Sequence, residues 1–190
     1  MPALKTILEA ALLAAGEPLS LERLAALFDE YERPERAALR AALAELAADY
    51  RGRGLELVEV AGGWRLQVPA AYARWVSRLW EEKPGRYSRA LLETLALIAY
   101  RQPITRGEIE EIRGVAVSSA ILQTLKERGW IRIIGHRAVP GRPALYGTTR
   151  EFLDYFNLRT LGELPPLAEL RDLDSLDAEA HSSLHQRNSS

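Results

Sequence analysis

An internal repeat constrains this chain more than any other feature. Residues of the first half find counterparts at a constant offset of 85: Ile7 with Leu92, Ala11 with Ala96, Leu12 with Leu97, Leu13 with Ile98, Ala14 with Ala99, Pro18 with Pro103, Leu19 with Ile104, Ser20 with Thr105 and Leu24 with Ile109. Leu8 against Glu93 breaks the pattern. Each copy carries enough apolar residues for a core of its own, so the repeat reads as two domains rather than a solenoid. The length of 190 residues and the 47% hydrophobic content allow for this.

Both copies show the same order of elements. In the first, residues 3–15 place Leu4, Ile7, Leu8, Ala11 and Leu12 at helical spacing, and Gly16 and Pro18 end the run. Ser20 is an N-cap for a short helix over 21–28. Pro34 opens a third helix with Leu39, Leu43, Leu46 and Tyr50 on one stripe. Residues 55–60 and 64–68 alternate across Ala61-Gly62-Gly63 as a hairpin. A further helix is expected over 70–82, with Tyr72, Trp75, Val76 and Leu79 on one face. In the second copy, Ser88 precedes a helix carrying Leu91, Leu92, Leu95 and Ile98. Thr105 to Glu108 is a capping box, in which hydroxyl and carboxylate satisfy free backbone N–H groups. Ser118 and Ser119 open a helix with Ile121, Leu122 and Leu125, stopped by Gly129. Residues 130–134 and 144–147 form a second hairpin, and a capping box at Thr148 to Glu151 starts a last helix through Phe156. Three helices and a hairpin, twice, is the order of two tandem winged-helix (helix-turn-helix-like) domains: a mainly α chain with small β-hairpin wings.

The expected boundaries follow from composition. Residues 1–83 form the first domain and 84–165 the second, divided at Glu81-Glu82-Lys83-Pro84-Gly85-Arg86. Residues 166–190 read as a mobile acidic tail, poor in apolar side chains. The net charge of −1 is unevenly spread: −2 over 1–83, +5 over 84–160 and −4 over 161–190. A basic second half suits an acidic partner or nucleic acid. Glu9 interrupts the N-terminal apolar run, so that run reads as an amphipathic helix rather than a signal peptide. No run of eighteen apolar residues is present, so no membrane span is expected, and the default compartment is the cytoplasm.

Motifs for chemistry are missing. With no cysteine, a disulfide scaffold, a thiol nucleophile and a Cys-based zinc site are excluded. His181 and His185 stand four apart but lack a third ligand nearby in sequence. Asp172, Asp174 and Asp177 lack the glycine and terminal glutamate of a calcium loop. Neither GxxxxGK[ST] nor GxSxG occurs. We therefore expect no catalytic residues, no metal and no cofactor.

The unusual stretch is 139–149, Val-Pro-Gly-Arg-Pro-Ala-Leu-Tyr-Gly-Thr-Thr. Two prolines around Gly141-Arg142 stiffen the wing and present Arg142 at low entropic cost. Arg142 either meets a carboxylate or phosphate of a partner, or is held internally by Tyr146 or a carbonyl. Arg101 and Arg106 flank the turn before the second helix. Trp75 and Trp80 cannot both face one core, and an aromatic left outside is a candidate interface anchor.

Residues 97–115, Leu125-Lys126-Glu127-Arg128-Gly129-Trp130-Ile131, the Pro140 to Thr149 wing, residues 151–156 and the Leu164-Pro165-Pro166-Leu167 close resemble the bacterial segregation and condensation protein B family. The resemblance covers about residues 4–170, and the turn at Val115-Ala116-Val117 is more compact than the family pattern. It implies a non-enzymatic subunit of the bacterial SMC complex, cytoplasmic and nucleoid-associated, acting in chromosome condensation and segregation. It further implies a homodimer, formed largely through the first domain, that binds the kleisin subunit (segregation and condensation protein A) and through it the SMC ATPase. DNA contact would be indirect or weak. Tyr100, Arg101, Arg106, Arg142 and Tyr146 are the candidate kleisin-binding residues; Trp75 and Trp80 are the candidate dimer contacts. The alternative is a winged-helix DNA-binding transcriptional regulator. Such a protein should offer base-reading side chains on its third helix, and here Gln123 is the only amide there.

Overall fold

A computed structural model describes residues 2–79 and 87–166. The linker at 81–86, Trp80 and the tail from 167 lie outside the described residues. Residues 1–159 group as one compact unit and 160–190 as another. Of the latter, the described part holds a single 3-10 turn at Leu161–Glu163.

The first half runs α1 (Leu4–Ala15), α2 (Leu21–Ala25), α3 (Arg36–Asp49), β1 (Glu56–Val60) and β2 (Gly63–Gln67). Gly16, at φ 64, ends α1 in the left-handed conformation that favours glycine. The Ser20 hydroxyl accepts from Arg23 N–H and starts α2, which ends at Ala25 rather than Phe28. β1 and β2 pair antiparallel from Glu56–Gln67 to Val60–Gly63. Leu8, Leu12, Leu24, Leu39, Leu43 and Leu46 make the core. The segment expected as one helix over 70–82 is instead a 3-10 turn (Ala70–Tyr72), a single α turn, α4 (Ala73–Val76), and another 3-10 turn (Ser77–Leu79). None of the side chains of residues 70–79 is buried among the described residues, so no packed face there enforces a continuous helix.

The second half repeats this with α5 (Arg89–Arg101), β3 (Ile104–Thr105), α6 (Arg106–Arg113), α7 (Ser119–Glu127), β4 (Ile131–His136), β5 (Ala144–Thr148) and α8 (Arg150–Tyr155). Ile98, Ile109, Val117 and Leu125 are fully buried at its centre. The capping box at Thr105–Glu108 forms as expected. The last helix is capped by Thr149, not Thr148, because the Thr148 hydroxyl is taken by Gln102. The Thr149 hydroxyl in turn donates to the Gly129 carbonyl. Trp130 is buried among Tyr87, Tyr155 and Phe156, which seat α8 on its half.

The repeat is visible as geometry. Ser20 and Thr105, one repeat apart, cap the second helix of each half. Leu19 bridges to Trp64 of β2, as Ile104 pairs with Tyr146 of β5. That pairing makes Ile104–Thr105 a third strand, in the order β3-β5-β4. The first helices depart from the offset. Ile98 is 0% exposed, but its counterpart Leu13 is 68% exposed. Leu8 and Leu12 fill the places of Thr94 and Ile98, which are 86 residues on. The slip of one residue turns the outer face of α1 by about 100°.

Candidate functional site

The five candidate residues of the second half sit on or beside one three-stranded sheet. Tyr100 and Arg101 close α5. Pro103 then leads into β3, and Arg106 opens α6. Tyr146 lies opposite Ile104 on β5, so its strand runs beside that turn. Gln102 fastens the turn to the sheet. Its amide donates to the Ala99 carbonyl at 3.1 Å and the Thr148 hydroxyl at 2.9 Å, and its oxygen accepts from Thr148 N–H at 2.8 Å. A Cβ on Gly147 would come within 3.0 Å of that oxygen and 2.9 Å of Ile134 Cδ1. The small residue therefore leaves room for the clamp.

The arginines divide by what they do. Arg106 Nε donates to Glu110 at 2.9 Å, and its Nη1 to the Ser119 hydroxyl at 3.1 Å. Glu110 also accepts from Val117 N–H at 2.9 Å. Arg106 thus closes the compact turn between α6 and α7. The backbone N–H of Val117, together with Arg106, holds the Glu110 carboxyl below the usual carboxylate range. The side chains of Arg101 and Arg142 are exposed and make no hydrogen bond, ion pair or ring contact among the described residues. The internal clamp of Arg142 on Tyr146 or a carbonyl is not formed.

The wing that carries Arg142 is nonetheless fixed. Arg142 N–H donates to Val139 O and Arg137 N–H to Pro143 O, each at 2.9 Å. Gly141 at φ 80 and Arg142 at φ 40 make the bend. At the wing base, Arg137 Nη2 reaches Glu108 at 2.5 Å. Glu108 therefore serves both the capping box and the wing. The Thr105 backbone N–H above all, then the Thr105 hydroxyl and Arg137, hold its carboxyl below its ordinary value. Tyr146 lies on β5, whereas Arg142 lies four residues earlier, in the exposed loop before it. The sequence reading missed Gln102 and Glu108 as the residues that order it. A glutamine next to Pro103 and a capping-box acid were visible, but their partners lie far along the chain.

In the first half, Trp75 is 54% exposed with the Arg74 guanidinium 4.8 Å from its ring centre. Leu79 and Tyr72 are exposed beside it in sequence. Trp80 lies outside the described residues.

These features define a tandem winged-helix protein with two small antiparallel sheets. The sequence model of a family described as Segregation and condensation complex subunit ScpB matches residues 6–167. A segregation and condensation protein B homolog of Coxiella burnetii is 58% identical over 175 residues, covering 92% of this chain and 84% of that protein. Segregation and condensation protein B of Syntrophotalea carbinolica is 47% identical over 172 residues, covering 90% and 85%. A solved dimer of ScpB N-terminal domain complexed with ScpA peptide is 34% identical and covers 40% of this chain and 93% of that one, with a TM-score of 0.36. The chain belongs to the segregation and condensation protein B family. None of the described helices is long and apolar enough to cross a membrane.

Proposed function

We propose that this chain is a non-catalytic subunit of a bacterial SMC–kleisin complex, cytoplasmic and nucleoid-associated. It binds the kleisin as a homodimer. In this reading residues 1–83 carry self-association, 84–165 carry kleisin binding, and 166–190 are a tail needed for neither. The observation that carries the reading is the pair of unengaged guanidiniums, Arg101 and Arg142, on turns fixed by Gln102 and Glu108 in a segment, 84–160, of net charge +5. Guanidiniums without internal partners, carried on a fixed backbone, suit an acidic partner surface. Tyr100 and Tyr146, both half-buried, add contact area beside them. Trp75 supports self-association, since an exposed Trp on a segment without buried side chains is a ready anchor.

The regulator reading has less support. The amide of Gln123, the base-reading candidate of α7, donates to Glu127 at 2.8 Å. Arg128, just past α7, lies over the Tyr87 ring at 5.5 Å. Calorimetric titration of the purified chain with the middle segment of the kleisin tests the proposal: saturable binding is expected. Absence of binding, together with tight duplex DNA binding of steep salt dependence, would favour the regulator.

A further inference from the structure

The two wings are used differently. The tip of the second, residues 139–142, is exposed. The tip of the first, Ala61-Gly62, is held by the other half of the chain. Ala61 N–H donates to Leu158 O at 2.9 Å. Gly62 N–H donates to Asp154 Oδ1 at 2.5 Å. The Ala61 carbonyl accepts from Arg150 Nε at 3.1 Å. From β2, Arg65 Nη2 reaches the Asp154 carbonyl at 2.8 Å and the Asn157 side-chain oxygen at 2.6 Å. α8 and the residues just after it thus receive the first hairpin.

We propose that Asp154 is the pin of a latch that fastens the first wing to α8 and sets the orientation of the two winged-helix halves. Three observations carry this. First, the bonds are specific to the turn: both N–H groups and a carbonyl of a two-residue tip are each met by a group of the other half. Second, Gly62 is buried and shaped for the contact. A Cβ there would stand 2.5 Å from Asp154 Oδ2 and 2.9 Å from Pro18 Cβ. Its φ lies outside the left-handed region, so the backbone itself does not demand glycine. Third, the second wing keeps its hairpin without any such docking, so these bonds are not what a wing of this fold needs in order to form. Arg65 adds a positional fit. It puts a cation on a carbonyl in the last turn of α8, where backbone acceptors lack helical partners.

The latch borders a groove of about 520 Å³ lined by Arg23, Arg65, Arg128, Arg150, Glu151 and Tyr155, among others. The latch bonds join polar side chains and backbone groups outside the apolar core of the first half, so losing them leaves that core intact. Closed, it fixes the direction in which the second-half site points relative to the first half. That geometry belongs to the chain alone and does not depend on the identity of the partner. Asp154 is a positioning residue: it acts by holding the first wing.

The chain has no cysteine, so two introduced cysteines take spin labels without background. Ala44→Cys on α3 and Glu111→Cys on α6 are exposed positions on the two halves. Pulsed electron paramagnetic resonance on the full chain, mixed with excess unlabelled chain to suppress distances between copies, reads the interval between them. One narrow distance is expected in the parent. Asp154→Ala and Gly62→Ala should each broaden it, with circular dichroism unchanged. Asp154→Asn, which keeps an oxygen to accept from Gly62 N–H, should restore the narrow distance. A broad distance in the parent overturns the proposal. So does a distance that stays narrow in both Asp154→Ala and Gly62→Ala. If Asp154→Ala lowers the helical signal, Gly62→Ala alone decides. Kleisin titration of the same samples reports separately on the proposed function.

Discussion

Arg142→Ala separates a partner-facing arginine from a structural one. In the free chain the side chain is exposed and touches no described partner, so its removal deletes no internal contact. The wing bend is held by the backbone bonds of Arg142 and Arg137, which alanine retains. Stability should therefore change by less than about 0.5 kcal/mol, the usual range for a surface site. Binding should weaken by roughly 1–3 kcal/mol, about 5- to 150-fold, if the guanidinium is buried against a kleisin carboxylate. A wet rim contact would cost under about 1 kcal/mol. Arg142→Gly sharpens the test. At φ 40 a Cβ is strained, and glycine relieves about 1 kcal/mol. This variant should melt higher than the parent while binding as poorly as Arg142→Ala. Scanning calorimetry and kleisin titration on the same three samples read both quantities. A lowered melting temperature with intact affinity in Arg142→Ala would refute the reasoning, and unchanged affinity in both variants would remove Arg142 from the site.

Thr105→Ala removes the hydroxyl that caps α6 and should cost about 0.5–2 kcal/mol in urea denaturation; no loss would mean the cap is dispensable. Trp75→Ala should raise the dimer dissociation constant tenfold or more, read by light scattering across a dilution series, with melting nearly unchanged at concentrations where parent and variant are both monomeric, because no side chain of residues 70–79 is buried. An unaltered dimer would move the interface elsewhere. Lowering the pH should destabilise the second half through Glu108 and Glu93, whose folded-state carboxyls are held down, Glu108 chiefly by Thr105 N–H and Glu93 by Arg89 and then Arg113. Depressed folded values give stability that is present above the ordinary carboxylate pKa of about 4.3 and lost as pH falls through the folded values. Glu108→Gln should flatten that acid limb, and an unchanged limb would contradict the assignment.

What the sequence showed and what it hid follows from the range of each interaction. The Ser20, Ser88 and Thr105 caps act within three residues of themselves, so residue type and spacing were enough to place them, whereas Ser118 and Ser119 were left as a pair, of which Ser118 is the cap. Thr148 and Thr149 are adjacent, and local rules could not choose between them. Gln102, 46 residues away, makes the choice by occupying the Thr148 hydroxyl. β3 escaped notice because two residues have no period, and its strand character comes from Tyr146 and Leu145 across the sheet. Over 70–79 the apolar spacing was real but none of these side chains is buried among the described residues, so it marks a surface and not a core. The offset that aligned Leu13 with Ile98 was one residue off for burial, because apolar residues crowd α1 on more than one face. Of the candidate site, residue types and turns were legible. The split between Arg106, which closes a turn, and Arg101 and Arg142, which are unengaged, was not.

The two wings differ in loop length, and in the proposed reading this difference gives them two tasks. Ala61-Gly62 is two residues long and small, so β1 and β2 bring their tip flush against α8, and backbone groups make the contact. Between β4 and β5 the loop runs from Arg137 to Pro143, and its tip at 139–142 is exposed. Its prolines remove backbone donors and restrict φ, which leaves the Arg142 side chain as the group on offer. The anchoring differs in the same sense. The first wing is held at its tip, and the second at its base through Arg137 and Glu108. A hairpin held at the tip joins parts of its own chain. One held at the base, with its tip free, can reach another. In the proposed reading the loops give the first wing to internal order and the second to recognition, while the helices beneath them stay alike.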